Sequence, residues 1–226
     1  MAVVAYVRHG KRDSTPETIF RDGSPGTIPC SLTSEGVEQA HHAGRQLSGF
    51  NIQGVASSPL LRAFYTGDII RYEYFKATGK SLDIEFEPLL IERQVGKLNN
   101  GPVPGGVPWV EFRNGQAEKG YPDIEAFDSI KGRVVKFAEK LFELDRSGDG
   151  LVVATTHQDT VHAAIAQALG YDELNAAFNP GVKDASITVI FYNKSGGSKL
   201  NAEVIAQGEV DLSKAQSREI SRLIRS

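Results

Sequence analysis

The sequence predicts an α/β fold, a three-layer sandwich in which a mostly parallel central sheet is flanked by helices. Two observations predict it. Four short apolar, β-branched runs read as buried parallel strands: residues 2–7, 54–57, 82–86 and 151–155. Helical segments separate them, and strands alternating with helices build a parallel sheet covered on both faces.

Each element has its own signal. The run Ala2-Val3-Val4-Ala5-Tyr6-Val7 stops at Arg8-His9-Gly10, where the glycine lets the backbone turn away. A helix over 32–47 starts from Thr33 or Ser34 as N-cap and turns Val37, Ala40 and Leu47 inward. A second, over 59–77, places Pro59 in its first turn, where a missing N–H costs nothing. The clearest helix is 124–144, because Phe127, Ile130, Val134, Phe137 and Leu141 recur every three or four residues as one apolar stripe. A helix over 157–169 ends at Gly170. Residues 187–192 and 202–207 pair as a late hairpin around Lys194-Ser195-Gly196-Gly197, and 213–224 form a terminal surface helix. With no internal repeat and no linker, residues 1–226 read as one domain, its hairpin and last helix filling the chain from about residue 186.

Composition narrows the function classes. Lys plus Arg number 25 against 28 Asp plus Glu, a net charge of -3, so no global basic field draws nucleic acid or an anionic membrane. Any affinity for anions must come from individual arginines. Cys30 is the only cysteine, which excludes an intrachain disulfide. The opening apolar stretch has no basic lead-in and runs into Arg8 and Lys11, so neither a signal peptide nor a membrane span is expected, and the expected location is cytoplasmic. The long loops 11–31 and 99–122 are rich in turn residues; the first follows Arg8-His9-Gly10 directly, which favours a role in shaping a substrate site. Phe20, Trp109 and Phe112 are candidate pocket aromatics, and Arg21, Arg93 and Lys97 candidate partners for a second anionic group.

The chemistry gathers at strand ends, where open α/β sheets bind their ligands. The first strand delivers Arg8 and His9. The second ends in Ser57-Ser58-Pro59-Leu60-Leu61-Arg62, so Arg62 falls in the first turn of a helix, a place that already favours an anion. The fourth ends in Thr155-Thr156-His157. Taken singly, Arg62 reads as a surface arginine and His157 as a structural histidine. Together, Arg8, His9, Arg62 and His157 can converge on one small, doubly charged anion, and a phosphoryl group fits because its transition state needs several fixed donors. The chain has no P-loop and no Asp-rich magnesium cluster, so no metal and no cofactor are expected, and a histidine can supply the nucleophile.

The order of these motifs resembles the histidine phosphatase superfamily, also called phosphoglycerate mutase-like, over roughly residues 1 to 195. Arg8-His9-Gly10 matches the signature tripeptide. Leu32-Thr33-Ser34-Glu35-Gly36 with Gln39-Ala40 is similar to the family's first helix, and Ser58-Pro59-Leu60-Leu61-Arg62-Ala63 with Thr66 to its second phosphate-binding segment. Leu90-Ile91-Glu92-Arg93-Gln94-Val95-Gly96 aligns with the segment bearing the proton donor, and Thr156-His157 with the second histidine.

The resemblance implies a phosphoglycerate mutase-like fold and a division of labour. His9 attacks phosphorus in line and becomes phosphohistidine, while Arg8 and Arg62 hold the phosphoryl oxygens. His157, protonated beside a dianion, stabilises the transition state. Glu92 protonates the departing alkoxide and then activates water; read without the motif, it is a surface carboxylate paired with Arg93. Arg12 matches a further arginine found in a phosphatase branch related to ecdysteroid-phosphate and tyrosine phosphatases, and is an additional candidate phosphate ligand.

Departures bear on the activity. Mutases place a serine and an asparagine where this chain has Arg12 and Thr15, and the paired arginines of their later substrate loop are missing. Gln158 stands where glycine often follows the second histidine, and Gly67 where alanine is common. His41, His42 and His162 match no family role, and the first two are expected on a solvated helix face. The reading is therefore a metal-independent phosphomonoesterase acting on a small phosphorylated substrate or a phosphoprotein. Its alternatives are a phosphoglycerate mutase or related phosphotransferase, and a non-catalytic scaffold that keeps the fold. Oligomeric state is open, with a homodimer among the options.

Overall fold

The computed structural model describes residues 1–13, 31–94, 125–143, 150–171, 181–195 and 199–224. Most of both long loops, with Thr15, Phe20, Arg21, Cys30, Lys97, Trp109 and Phe112, and the hairpin turn at Gly196-Gly197 lie outside the described residues.

In chain order the elements are β1 (Ala2–Arg8), α1 (Ser34–Leu47), β2 (Ile52–Ser57), α2 (Leu61–Thr78), β3 (Ile84–Phe86), a 3-10 turn (Pro88–Leu90), α3 (Phe127–Glu143), β4 (Leu151–Thr156), α4 (Gln158–Leu169), β5 (Ile187–Ser195), β6 (Lys199–Glu209) and α5 (Lys214–Leu223). The six strands form one sheet in the order β3-β2-β4-β1-β5-β6. The first four in that order run parallel to one another, and the β5–β6 hairpin joins antiparallel to β1. The expected α/β sandwich is the observed one.

Alternation along β1 sorts the two cores. Ala2, Val4 and Tyr6 pack with the stripe Phe127, Ile130, Val134, Phe137 and Leu141 of α3 and with Val161 and Ile165 of α4. Val3, Ala5 and Val7 point to the other face, against Ala43 and Leu47 of α1, Ile70 and Tyr74 of α2, and Ile220 and Leu223 of α5. Because both faces of β1 are covered, its side chains are apolar without interruption. Each fully buried member of the α3 stripe contributes about 1.5–3 kcal/mol of apolar transfer energy.

Two elements differ from expectation. The third strand shortens to three residues at the sheet edge, paired only with β2, and its Glu85 and Phe86 are exposed, so it is not a buried strand. Pro59 precedes α2 and is not part of its first turn. Ser58 N–H still donates to Thr155 O at 2.9 Å, and Leu60 is extended at φ -77°, ψ 131°, so the chain leaves the sheet two residues later than the proline suggests.

Candidate active site

Strand register brings the site together. Arg8 pairs with Thr156, and Ser57 with Thr155. The ladder extends one step further, with His9 N–H donating to Thr156 O at 2.9 Å and Ser58 N–H to Thr155 O at 2.9 Å. The next residue of each strand therefore emerges at one level: His9, Ser58 and His157. The His9 and His157 rings lie 5.2 Å apart between centroids.

The turn after β1 depends on close backbone approach. A Cβ on Gly10 would sit 2.3 Å from Gly36 O, and one on Gly36 would sit 2.1 Å from Lys11 O. Only glycine at both positions lets the N-terminus of α1 lie on this turn. Thr33 caps that helix, its hydroxyl accepting from Gly36 N–H at 3.0 Å. On the other side, Gly10 N–H donates to Thr66 Oγ1 at 3.1 Å, which itself donates to Arg62 O. The signature tripeptide is thus held between α1 and α2.

His9 is oriented by its own turn. Its Nδ1 lies 2.7 Å from Gly10 O, and a carbonyl only accepts, so Nδ1 carries the proton and Nε2 keeps its lone pair. Burial pushes its pKa well below the ordinary imidazole range, and the Arg62 guanidinium adds to this; the Gly10 bond opposes it, and Arg8 and Arg12 lower it further. His9 is a neutral imidazole with a defined free nitrogen.

Arg62 is only 1% exposed, the largest side chain buried so completely among the described residues. Its charge acts on both imidazoles. His157 N-caps α4 in position, and its Nε2 lies 2.8 Å from Ser58 Oγ. Its Nδ1 is buried with no hydrogen-bond partner among the described residues. Burial first, then Arg62, then His9 push its pKa well below the ordinary range. This qualifies the expectation of a protonated His157: burial first, and then the protein's own charges, favour the neutral ring, and a bound dianion would have to supply the opposing field.

Depressed imidazole pKa values have a consequence for stability. Between the folded pKa and the unfolded value of about 6.5, the unfolded chain binds more protons than the folded one. Stability therefore rises with pH through that window and is lost as pH falls through it, by up to about 1.4 kcal/mol per pH unit per imidazole. Thermal unfolding should show a midpoint falling from about pH 7 to about pH 5, and His157→Gln should flatten that slope.

Arg8 is half-buried and already engaged, with Nη1 donating to Val182 O at 2.8 Å and Nη2 2.9 Å from Asp184 Oδ1. Arg12 is half-buried and joins Leu32 through an isolated β-bridge. Its charge is among those that lower the His9 pKa, after burial, Arg62 and Arg8. Glu92 follows the 3-10 turn, on a segment tied to the end of β4. Thr156 Oγ1 donates to Leu90 O at 2.6 Å and Thr160 Oγ1 to Ile91 O at 3.0 Å, flanking His157. Glu92 Oε1 accepts from the Arg93 backbone N–H at 2.9 Å, while the Arg93 guanidinium donates to Glu125 O. Among the described residues no group of three or more His, Cys, Asp or Glu is arranged to hold a metal ion. Gln158 opens α4 and is half-buried.

Ser58, Thr66 and Asp184 belong to this site, and sequence reasoning gave them no role. Ser58 had a signal, a polar residue at a strand end one step from Pro59. Asp184 had none, since 176 positions separate it from Arg8. The other histidines lie elsewhere. His41 is half-buried and pairs through Nδ1 with the buried Glu73 of α2 at 2.7 Å, so it is not a solvated residue; His42 meets Asp211 at 2.8 Å on the surface.

Residues 4–203 match the model of the histidine phosphatase superfamily (branch 1). The chain belongs to this superfamily. It is 32% identical over 197 residues to a 2,3-bisphosphoglycerate-dependent phosphoglycerate mutase of Thermoplasma acidophilum, covering 84% of this chain and 87% of the relative. It is 26% identical over 172 residues to the uncharacterized phosphatase PhoE of Bacillus subtilis, covering 76% and 80%. Among solved structures, mycobacterial glucosyl-3-phosphoglycerate phosphatase in complex with VO3 superposes with a TM-score of 0.72 at 19% identity, over 92% of this chain and all of that one. This chain is thus a histidine phosphatase superfamily enzyme with phosphatases and a mutase among its relatives. No helix among the described residues is long and apolar enough to cross a membrane.

Proposed function

We propose that the protein is a metal-independent phosphomonoesterase acting through phosphohistidine on His9. The observation that carries the reading is the fixed tautomer of His9: a neutral imidazole, its Nδ1 proton committed to Gly10 O, with the charge of the buried Arg62 guanidinium acting on the ring. Nε2 attacks phosphorus, the ester P–O bond breaks, and the leaving oxygen takes the carboxyl proton of Glu92. Water then attacks phosphorus, giving its proton to the Glu92 carboxylate; the new P–O bond forms as the P–Nε2 bond breaks, its electrons returning to Nε2, which releases phosphate and neutral His9. Arg62 and Arg8 bind the phosphoryl oxygens, with Arg12 as a further cation. For Arg8, the phosphate must share or displace Asp184. His157, neutral in the protein alone, gains its proton in the field of the bound dianion and stabilises the transition state. The substrate is a small phosphorylated molecule or a phosphoprotein.

A mutase is the second reading, favoured by the 32% identity to a phosphoglycerate mutase. Both share the phosphohistidine and differ in what receives the phosphoryl group. The test is hydrolysis of p-nitrophenyl phosphate and a panel of phosphate esters in excess chelator, beside isomerisation of 3-phosphoglycerate with 2,3-bisphosphoglycerate. Hydrolysis unaffected by chelator, with isomerisation at background, is expected. Isomerisation faster than any hydrolysis would establish the mutase, and no turnover on either arm would favour a scaffold.

A further inference from the structure

The side chain that anchors the Glu92 segment lies on another element. Arg133, on the second turn of α3, is part-buried and makes four hydrogen bonds. Its Nη1 donates to Leu89 O at 2.6 Å and to Ile91 O at 2.9 Å. Nε and Nη2 clasp the two carboxylate oxygens of Glu125 at 2.8 and 2.9 Å, a bidentate pair that fixes the plane of the guanidinium. Glu125 in turn reaches the far side of Glu92. Its Oε2 accepts from Gln94 N–H at 3.1 Å, its backbone N–H donates to Gln94 O at 2.8 Å, and its carbonyl accepts from Arg93 Nε at 2.8 Å. Ile91 and Gln94, on either side of Glu92 and Arg93, are therefore both tied to one ion pair.

The segment needs such an anchor. After the 3-10 turn, residues 91–94 belong to no regular element; Ile91 N–H closes the turn on Pro88 O at 3.2 Å, and beyond it the peptide groups must find partners outside any ladder or helix. A side chain that donates protons to a leaving group must be held within a fraction of an ångström, and backbone slack of one ångström misplaces it. Thr156 and Thr160 hold the segment from the β4 side, and Arg133 with Glu125 from the α3 side. Lys140, two turns further along α3, pairs with the buried Glu87 at 2.6 Å and pins the start of the turn. Lysine in place of Arg133 could not serve in the same way: a single ammonium cannot span two carbonyls and grip a carboxylate in one plane.

We propose that Arg133, through its fork to Leu89 O, Ile91 O and Glu125, is the positioning residue that holds Glu92 where it can protonate the leaving group. This rests on the reading of Glu92 as the proton donor. In the step that kcat/KM reads, up to departure of the alcohol, Glu92 acts on the leaving oxygen alone, so its misplacement should matter there only where that oxygen needs a proton. Leaving groups that depart as stable anions, such as p-nitrophenolate, need little help, whereas alkoxides need it fully.

The test compares kcat/KM of the wild-type chain, Glu92→Gln and Arg133→Gln on p-nitrophenyl phosphate, phenyl phosphate and an alkyl phosphate that the wild type hydrolyses. Arg133→Gln should lose on the order of 10²-fold on the alkyl ester and only about threefold on p-nitrophenyl phosphate, parallel to and smaller than Glu92→Gln. Arg133→Lys should lie between wild type and Arg133→Gln, and it carries the test should the glutamine variant not fold. A loss equal on all three esters would mark Arg133 as merely structural and overturn the proposal, as would no loss. A steep dependence in Glu92→Gln with none in either Arg133 variant rejects the positioning role alone. A flat response in Glu92→Gln rejects the proton-donor reading itself, and the positioning role with it.

Discussion

Replacing His9 with alanine should reduce kcat on the order of 10⁴-fold or more on every phosphate ester the enzyme accepts, while the protein stays folded. Loss of the nucleophile removes the covalent route rather than one contribution to it, which is why this is the largest effect expected. Folding should survive because His9 sits beyond the last residue of β1 and takes no part in either hydrophobic cluster. The substitution removes the Nδ1 bond to Gly10 O, but the ladder bond from His9 N–H to Thr156 O is backbone and remains. Steady-state rates beside a thermal unfolding curve check both halves. An active, folded His9→Ala protein would remove His9 from the chemistry.

The second large effect is expected for Arg62→Gln. A guanidinium buried to 1% exposure beside two neutral imidazoles is a preorganised counter-charge for an incoming anion, and water cannot replace it. Its loss should lower kcat/KM on the order of 10²–10³-fold, the scale of losing one preorganised donor. The pH profile should change with it, in a defined direction. The acidic limb of kcat/KM reports ionisation of the free enzyme, where His9 must be neutral to attack. Arg62 is the strongest charge depressing His9, behind burial itself. The wild-type limb should therefore lie well below the ordinary imidazole range, and in Arg62→Gln it should move up toward it. A rate loss with an unmoved limb would mean that Arg62 binds phosphate without setting the protonation of His9.

How much of this was legible in the sequence follows from the range of each interaction. The sheet and its strand ends were legible because they rest on local patterns: a fully apolar strand, then a glycine turn or a helix start. Arg8, His9, Arg62 and His157 stood out for the same reason, and the register of β1, β2 and β4 brings their strand ends level. The short, exposed β3 was misread as buried because periodicity cannot tell which strand lies at the edge. The side chains that tune the site were not legible at all. Asp184 reaches Arg8 from 176 positions away, and Arg133 reaches Leu89 from 44. Neither pair lies within one element, so no spacing rule connects them. Ser58 and Thr66 are intermediate, present in a recognisable segment, yet their bonds to His157 and Gly10 needed the folded chain.

The most direct measurement is a rapid acid-free quench of the enzyme during turnover of a ³²P-labelled ester, followed by mapping of any label retained on protein. Phosphohistidine on His9, stable to base, labile to acid and missing from His9→Ala, is the expected result. Turnover that leaves no label on the chain, or label on any residue other than His9, would contradict it.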